Sequence, residues 1–196
     1  MHAGFWACIA IAVAAVIRRV VALASVSSTA PQLASLDAWF HSHEALTLAH
    51  ILPALLFVLI TPIVVFQRPT QAEWPERALF PLGLIVGITA YAMSVYSVGG
   101  WIERSAVLLF NTLFLISLSR AYAQKRRGDA VLKRRWLLRA IAILLGIAVT
   151  RPVMGIFFAT SRLTHLQPSQ FFGIAFWIGF SISTLIGEYW LRKKPS

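Results

Sequence analysis

The chain has 196 residues, of which 58% are hydrophobic and only 13% are charged. Soluble domains carry about 25% charged residues, so this composition excludes an ordinary soluble protein and indicates a membrane protein. The net charge of +11 would suit nucleic-acid binding, but the basic residues adjoin apolar segments, where they contact lipid headgroups, so nucleic acid is excluded as a partner. The single cysteine, Cys8, excludes a disulfide framework.

Six apolar segments follow one another along the chain. They lie near residues 4–25, 46–66, 78–98, 102–122, 137–160 and 168–190. A helix of about 20 residues rises about 30 Å, which matches the hydrocarbon core of a bilayer. The sequence therefore predicts an all-α fold, a single domain over residues 1–196 that is a bundle of six transmembrane helices.

The first segment resembles a signal peptide in one respect only. Its stretch 22–25, Ala-Leu-Ala-Ser, is similar to a signal-peptidase site. A signal peptide has its positive charge before the apolar core, whereas Arg18 and Arg19 come after it. We therefore expect this segment to be retained as a membrane helix.

The distribution of basic residues predicts the orientation of the bundle. Eight of the 18 lie in one stretch from the end of the fourth segment to the start of the fifth: Arg120, Lys125, Arg126, Arg127, Lys133, Arg134, Arg135 and Arg139. With both termini inside, this region faces the cytoplasm together with Arg68, Arg77 and residues 192–194, and only Arg104 and Arg162 lie outside. Because cytoplasmic loops carry an excess of Lys and Arg, the pattern predicts an N-in/C-in protein.

Four polar residues inside the predicted spans lie at a similar depth near the outer face. His50 is early in the second span, Arg151 is in the outer half of the fifth, and Arg18 and Arg19 are late in the first. Charges at such depth are costly and mark functional sites. The group predicts a cationic ligand-binding pocket for a quinone carbonyl, a lipid phosphate or the propionates of a haem, all of which arginine binds through its planar fork.

A structural role for the same arginines is the alternative. Arg18 and Arg19 would then extend to lipid phosphates. Arg151 would donate to the carbonyl of Ala148, which loses its helical donor because Pro152 has no N–H.

A second pair of charges lies at the cytoplasmic face. Arg139 opens the fifth span and Glu188 nearly closes the sixth, so the two are expected at equal depth on antiparallel helices. Pairing lowers the cost of burying either charge. The positions therefore predict a structural ion pair rather than a proton relay.

Motifs for catalysis or metal binding are missing from the sequence. There is no Gly-rich phosphate loop, no His-Glu-x-x-His and no Gly-x-Ser-x-Gly. His41, His43 and Glu44 lie together before the second span, but no second cluster would complete a metal site. We therefore predict no catalytic residues and no metal site. Met154 is the one candidate second ligand for a haem on His50.

With these residues in place, the chain resembles a family of bacterial integral membrane proteins known as domain of unknown function 2306. The resemblance covers about residues 45–192 and rests on His50 early in a span, Gln67-Arg68 at its end, Trp74 with Arg77, the run 134–139 (Arg-Arg-Trp-Leu-Leu-Arg), Arg151 and Glu188. It implies a multi-pass protein of the bacterial cytoplasmic (inner) membrane. The resemblance does not imply an activity, because the family has no established one.

The chain departs from the family pattern between the spans. Ala72 and Lys133 stand where the two interspan motifs of the family begin with histidine, and Glu73 and Glu76 replace an arginine and a glycine. If the histidines of the family bind haem or a metal, this chain retains only His50.

The leading functional hypothesis is a non-catalytic accessory or ligand-binding subunit with an outer cationic pocket for a quinone, a lipid or another anionic headgroup. Membrane lipids are its predicted partners, and as an accessory subunit it would join a larger membrane complex. One alternative is a b-type haem protein in which His50 ligates the iron. Another is a small-solute transporter with Arg151 and Pro152 at the substrate site, against which the chain shows no repeat symmetry.

Overall fold

Long helices make up the computed structural model, which describes residues 2–24, 40–66 and 73–193. The helices are α1 (His2–Ala24), α2 (Glu44–Phe66), α3 (Trp74–Ser94), α4 (Gly100–Arg126), α5 (Ala130–Leu144), α6 (Gly146–Thr164) and α7 (Pro168–Lys193). No strand occurs in these ranges. Six helical segments are long and apolar enough to cross a membrane, because α5 and the greater part of α6 form one segment, Ala130–Ser161. The predicted all-α bundle of six membrane helices is confirmed, and its orientation stays a prediction.

Two of the differences from the predicted span boundaries have a local cause. The third span ends at Ser94 rather than 98, and a short turn with Gly100 at φ +60° leads into α4. The fifth span starts at Ala130, where Asp129 caps the helix by accepting from Leu132 N–H at 2.8 Å. This cap extends the helix by about two turns into the charged loop, which a hydrophobicity pattern alone does not detect.

The fifth span is interrupted at Leu145, between α5 and α6. The N–H of Ala148 donates to Leu145 O, three residues back, at 3.0 Å, which marks a tighter turn. Gly146 has a low helix propensity, and it contacts α7 so closely that a Cβ there would lie 2.6 Å from Phe180 Cδ1. The break thus coincides with a close contact between this span and α7.

The helices form a ring around a central space. Each of α1 to α4 packs against the next helix in the chain, α4 packs against α5 and α7, and α7 packs against α6. The contact between α6 and α1 closes the ring. In order around the bundle the helices are therefore α1, α2, α3, α4, α7 and the α5–α6 span. Phe57, Leu79, Leu137 and Phe171 are fully buried in the bundle.

Small residues allow the close crossing of α6 and α7. A Cβ on Gly179 would lie 2.6 Å from the backbone N of Thr150 and 2.7 Å from its Cα, and backbone cannot move aside as a side-chain tip can. We expect Gly179→Ala to lower the free energy of unfolding by about 2 kcal/mol, within the range typical of overpacked cores. Thermal unfolding in mild detergent measures this effect.

Gly155 provides the matched control for that substitution. It is on α6, and nothing lies within 4 Å of its Cβ position. Gly155→Ala should leave stability unchanged or raise it, since alanine has the higher helix propensity. Equal melting temperatures for the two variants would show that the α6–α7 crossing tolerates a wider separation.

Candidate functional site

A partly enclosed cavity of about 220 Å³ occupies the centre of the ring. Residues from all six spans line it, and most of the lining is apolar, as with Phe110, Phe114 and Phe176. The polar members of the wall that concern ligand binding are Arg19, His50, Glu103, Asn111 and Arg151. An apolar chamber with a few polar groups is the usual form of a small-molecule site.

Arg151 and Arg19 contribute positive charge to the cavity from adjacent helices, α6 and α1. The Nε of Arg151 is buried and has no hydrogen-bond partner among the residues that the structure describes. No hydrogen bond joins this side chain to the freed Ala148 carbonyl in that part of the chain. The guanidinium of Arg19 lies 3.8 Å from the centroid of the Phe40 ring, which also lines the cavity.

Arg18, the fourth member of the predicted group, does not line the cavity. Consecutive residues of a helix point about 100° apart, so only one of two neighbouring arginines faces inward. The charges of Arg18 and Arg19 nevertheless both act on Arg151. The structure therefore brings His50, Arg151 and Arg19 to one chamber and leaves Arg18 beside it.

His50 is held in one tautomer by its neighbour on α3. Its Nδ1 lies 2.9 Å from the Thr89 hydroxyl. That hydroxyl has one proton, and its other neighbours are the backbone carbonyls of Ile85 at 2.7 Å and Val86 at 3.1 Å, which can only accept. Thr89 therefore accepts from His50 Nδ1–H, and Nε2 of the neutral ring carries the lone pair. Nε2 has no hydrogen-bond partner in the described ranges.

Asn111 was missed by the sequence reasoning. Its Nδ2 donates to Gly87 O on α3 at 2.9 Å, and because a carbonyl can only accept, this contact fixes which way the amide is turned. Its Oδ1 and the second amide N–H are left for other partners. The sequence could have pointed to Asn111, because it lies in the middle of a predicted span, where a polar side chain is costly in free energy and usually has a function.

Glu103 is the acidic residue of the wall, and it too was missed. It is 9% exposed, and its Oε2 accepts from the N–H of Gly99 in the turn before α4 at 2.6 Å. The turn is tightly packed, because a Cβ on Gly99 would lie 2.6 Å from the Gly173 N. Glu103 thus contributes to the turn and to the cavity wall at once.

Arg139 and Glu188 lie in contact at the other end of the bundle, which is the basic end. Arg139 Nε is 2.5 Å from Glu188 Oε1, and Nη2 donates to Oε2 at 3.2 Å. The side chains are 24% and 33% exposed. The guanidinium of Arg139 lies 4.5 Å from the centroid of the Trp136 ring, and the guanidinium of Arg120 lies 5.0 Å from it. This geometry is a bidentate pair supported by an aromatic face.

Two further ion pairs lie at the basic end. Lys133 Nζ is 2.5 Å from Glu76 Oε2, so two of the residues that replace the family pattern contact each other. Arg77 donates to Glu73 at 2.8 Å, and this guanidinium lowers the pKa of the exposed Glu73 carboxyl.

The histidines before α2 do not form a metal site. His43 packs on the Tyr96 ring at a centroid distance of 4.2 Å, and its Nδ1 lies 2.9 Å from Ser42 Oγ. Within the described ranges no group of three or more His, Cys, Asp or Glu side chains could hold a metal ion. Met154 packs with Phe172 in a separate apolar cluster and does not line the cavity.

Comparison with known proteins gives one match. Residues 47–191 match the family model described as "Predicted membrane protein (DUF2306)". No curated protein and no solved structure matches the chain. The matched range includes five of the six membrane segments and every cavity residue on α2 to α7. The chain belongs to this family of predicted membrane proteins, domain of unknown function 2306.

Proposed function

We propose that this protein is a non-catalytic membrane subunit that binds an amphiphilic molecule, with an anionic or carbonyl-bearing head at Arg151 and Arg19. The apolar remainder of the molecule would lie against the phenylalanine-rich wall or extend between helices into the bilayer. Location in a bacterial inner membrane and membership of a larger complex are parts of the same proposal.

The observation that carries the proposal is the placement of Arg151. A guanidinium within an apolar bundle is costly, and its buried Nε lacks a partner among the described residues. A second arginine, Arg19, lines the same cavity. An occupant with an anionic head would supply the missing acceptor at Arg151.

The size of the cavity favours a headgroup or a single ring over a large cofactor. Sites for drug-sized molecules have volumes of roughly 300–1,000 Å³, whereas this cavity measures about 220 Å³. The residues fit a haem poorly, because His50 would be one axial ligand and Met154 is outside the cavity.

Native mass spectrometry of the protein purified in mild detergent tests the proposal. We expect a retained quinone, lipid or other amphiphile, released and identified on activation, and lost from the Arg151→Met variant. Arg104→Met is the matched control, because Arg104 also has a buried Nε without a partner in the described ranges but does not line the cavity. Absence of any adduct, or an adduct retained equally by both variants, would contradict the proposal.

A further inference from the structure

Apart from the hydroxyls of Thr47, Ser94, Tyr96 and Ser97, the hydrogen-bonding side chains of the cavity wall are divided between two sides. Following the ring order, α1 and α6 are neighbours, and they face the pair α3 and α4 across the cavity. Both arginines of the wall, Arg19 and Arg151, come from the α1–α6 side. His50, Asn111 and Glu103 come from α2 and α4, the two helices that flank α3.

Helix α3 takes the ring N–H of His50 and one of the two amide N–H donors of Asn111. His50 Nδ1–H is directed to Thr89, and the Asn111 amide N–H is directed to Gly87 O. Each side chain is therefore left with an acceptor, Nε2 in His50 and Oδ1 in Asn111. Neither atom has a hydrogen-bond partner in the part of the chain that the structure describes. The carboxylate of Glu103 adds acceptor capacity on the same side.

From this arrangement we propose that the head of the bound amphiphile carries a hydrogen-bond-donating hydroxyl beside a second oxygen, anionic, carbonyl or hydroxyl, that accepts from Arg151. This inference rests on the proposed function and specifies the class of ligand. A head with acceptors only would satisfy Arg151, but it would displace water from His50 and Asn111 without replacing the lost hydrogen bonds, which is unfavourable. Each hydroxyl directed at the α2–α4 side can donate to one of these two acceptors.

Two kinds of amphiphile have this chemistry and a head small enough for the cavity. One is a hydroquinone, in which the ring carries two hydroxyl groups. The other is a lipid with a polyol phosphate head, in which a phosphate lies close to free hydroxyls. Both place a donor a few ångströms from an oxygen that arginine can bind.

Binding of matched probe pairs to the detergent-solubilised protein tests the inference. The first pair is 2-decylhydroquinone and its dimethyl ether. The second pair is dihexanoyl phosphatidylglycerol and the corresponding phosphatidylmethanol, which has the same charge but no hydroxyl. We expect the wild-type protein to bind the hydroxylated member of one pair about tenfold more tightly, and the pair that discriminates identifies the source of the ligand.

Variants then assign the preference to the residues. His50→Leu and Asn111→Leu should each reduce it, and His50→Gln should restore part of it because glutamine supplies an acceptor. His43→Leu is the control, since His43 is near the same end but does not line the cavity. If His50→Leu does not fold, the wild-type comparison and Asn111→Leu still decide the question.

The outcomes separate the two proposals. Equal binding of both members in both pairs, together with loss of binding in Arg151→Met, would overturn the inference and leave the proposed function in place. A hydroxyl preference that survives both leucine variants would also overturn it. If none of the four probes binds, the proposed function fails and the inference fails with it.

Discussion

Replacing Arg151 by methionine should lower the affinity for decyl phosphate by about ten- to hundredfold, because hydrogen bonds to charged groups contribute about 1.5–3 kcal/mol. Methionine retains the length and apolar stem of arginine and removes only the guanidinium. The same substitution removes a charge that the bundle leaves without a partner at Nε. The ligand-free variant should therefore be at least as stable as the wild type. Titration calorimetry and thermal unfolding in detergent measure the two effects.

The opposite signs of these effects separate a binding role from a structural one. If Arg151 serves only the fold, its loss should lower the melting temperature and leave decyl phosphate affinity unchanged. Arg104→Met controls for removal of a partly buried arginine near the same end of the bundle, where the Arg104 guanidinium lies 5.6 Å from the Trp101 ring. An equal loss of affinity in Arg104→Met would indicate nonspecific attraction of the anion and would contradict a site at Arg151.

The bundle could be predicted from the sequence because the signal for a membrane helix is local. Twenty apolar residues must form a helix in hydrocarbon, where no water satisfies the backbone. The interruption at Leu145 was not predicted because it arises from a tertiary contact, that of Gly146 with Phe180 on α7. The start of α5 at Ala130 was not predicted because an aspartate cap, rather than a run of hydrophobic residues, begins that helix.

The candidate site could be predicted in part. The predicted depth of each residue in the membrane grouped His50 with Arg151, and in the structure both line one cavity. Depth could not tell Arg18 from Arg19, since that depends on the rotation of α1 about its axis. The acceptor role of Asn111 depends on the carbonyl of Gly87 on another helix, so no sequence pattern could reveal it.

Single charge reversals at the basic end should be strongly destabilising. Arg139→Glu or Glu188→Arg places two like charges where the side chains now lie 2.5 Å apart, at 24% and 33% exposure. Breaking a buried pair costs about 3–5 kcal/mol, and the partial exposure here favours the lower end, about 3 kcal/mol. Denaturant unfolding in detergent micelles, followed by tryptophan fluorescence, measures the loss. The pair of Arg77 and Glu73, with side chains 67% and 61% exposed, is the control, and reversal of Arg77 should change the stability far less because solvent screens the pair.

The double reversal, Arg139→Glu with Glu188→Arg, should recover most of that loss but not all of it. The two charges remain at equal depth on α5 and α7, so their attraction is restored. The contact of the guanidinium with the Trp136 ring at 4.5 Å is lost, however, because in the double variant the arginine is on α7 instead of α5. A cation–π contact of this kind contributes about 0.5–2 kcal/mol, which sets the expected shortfall. A double variant as unstable as the single ones would show that Arg139 and Glu188 stabilise the bundle separately, through Trp136 and other neighbours, rather than as an ion pair.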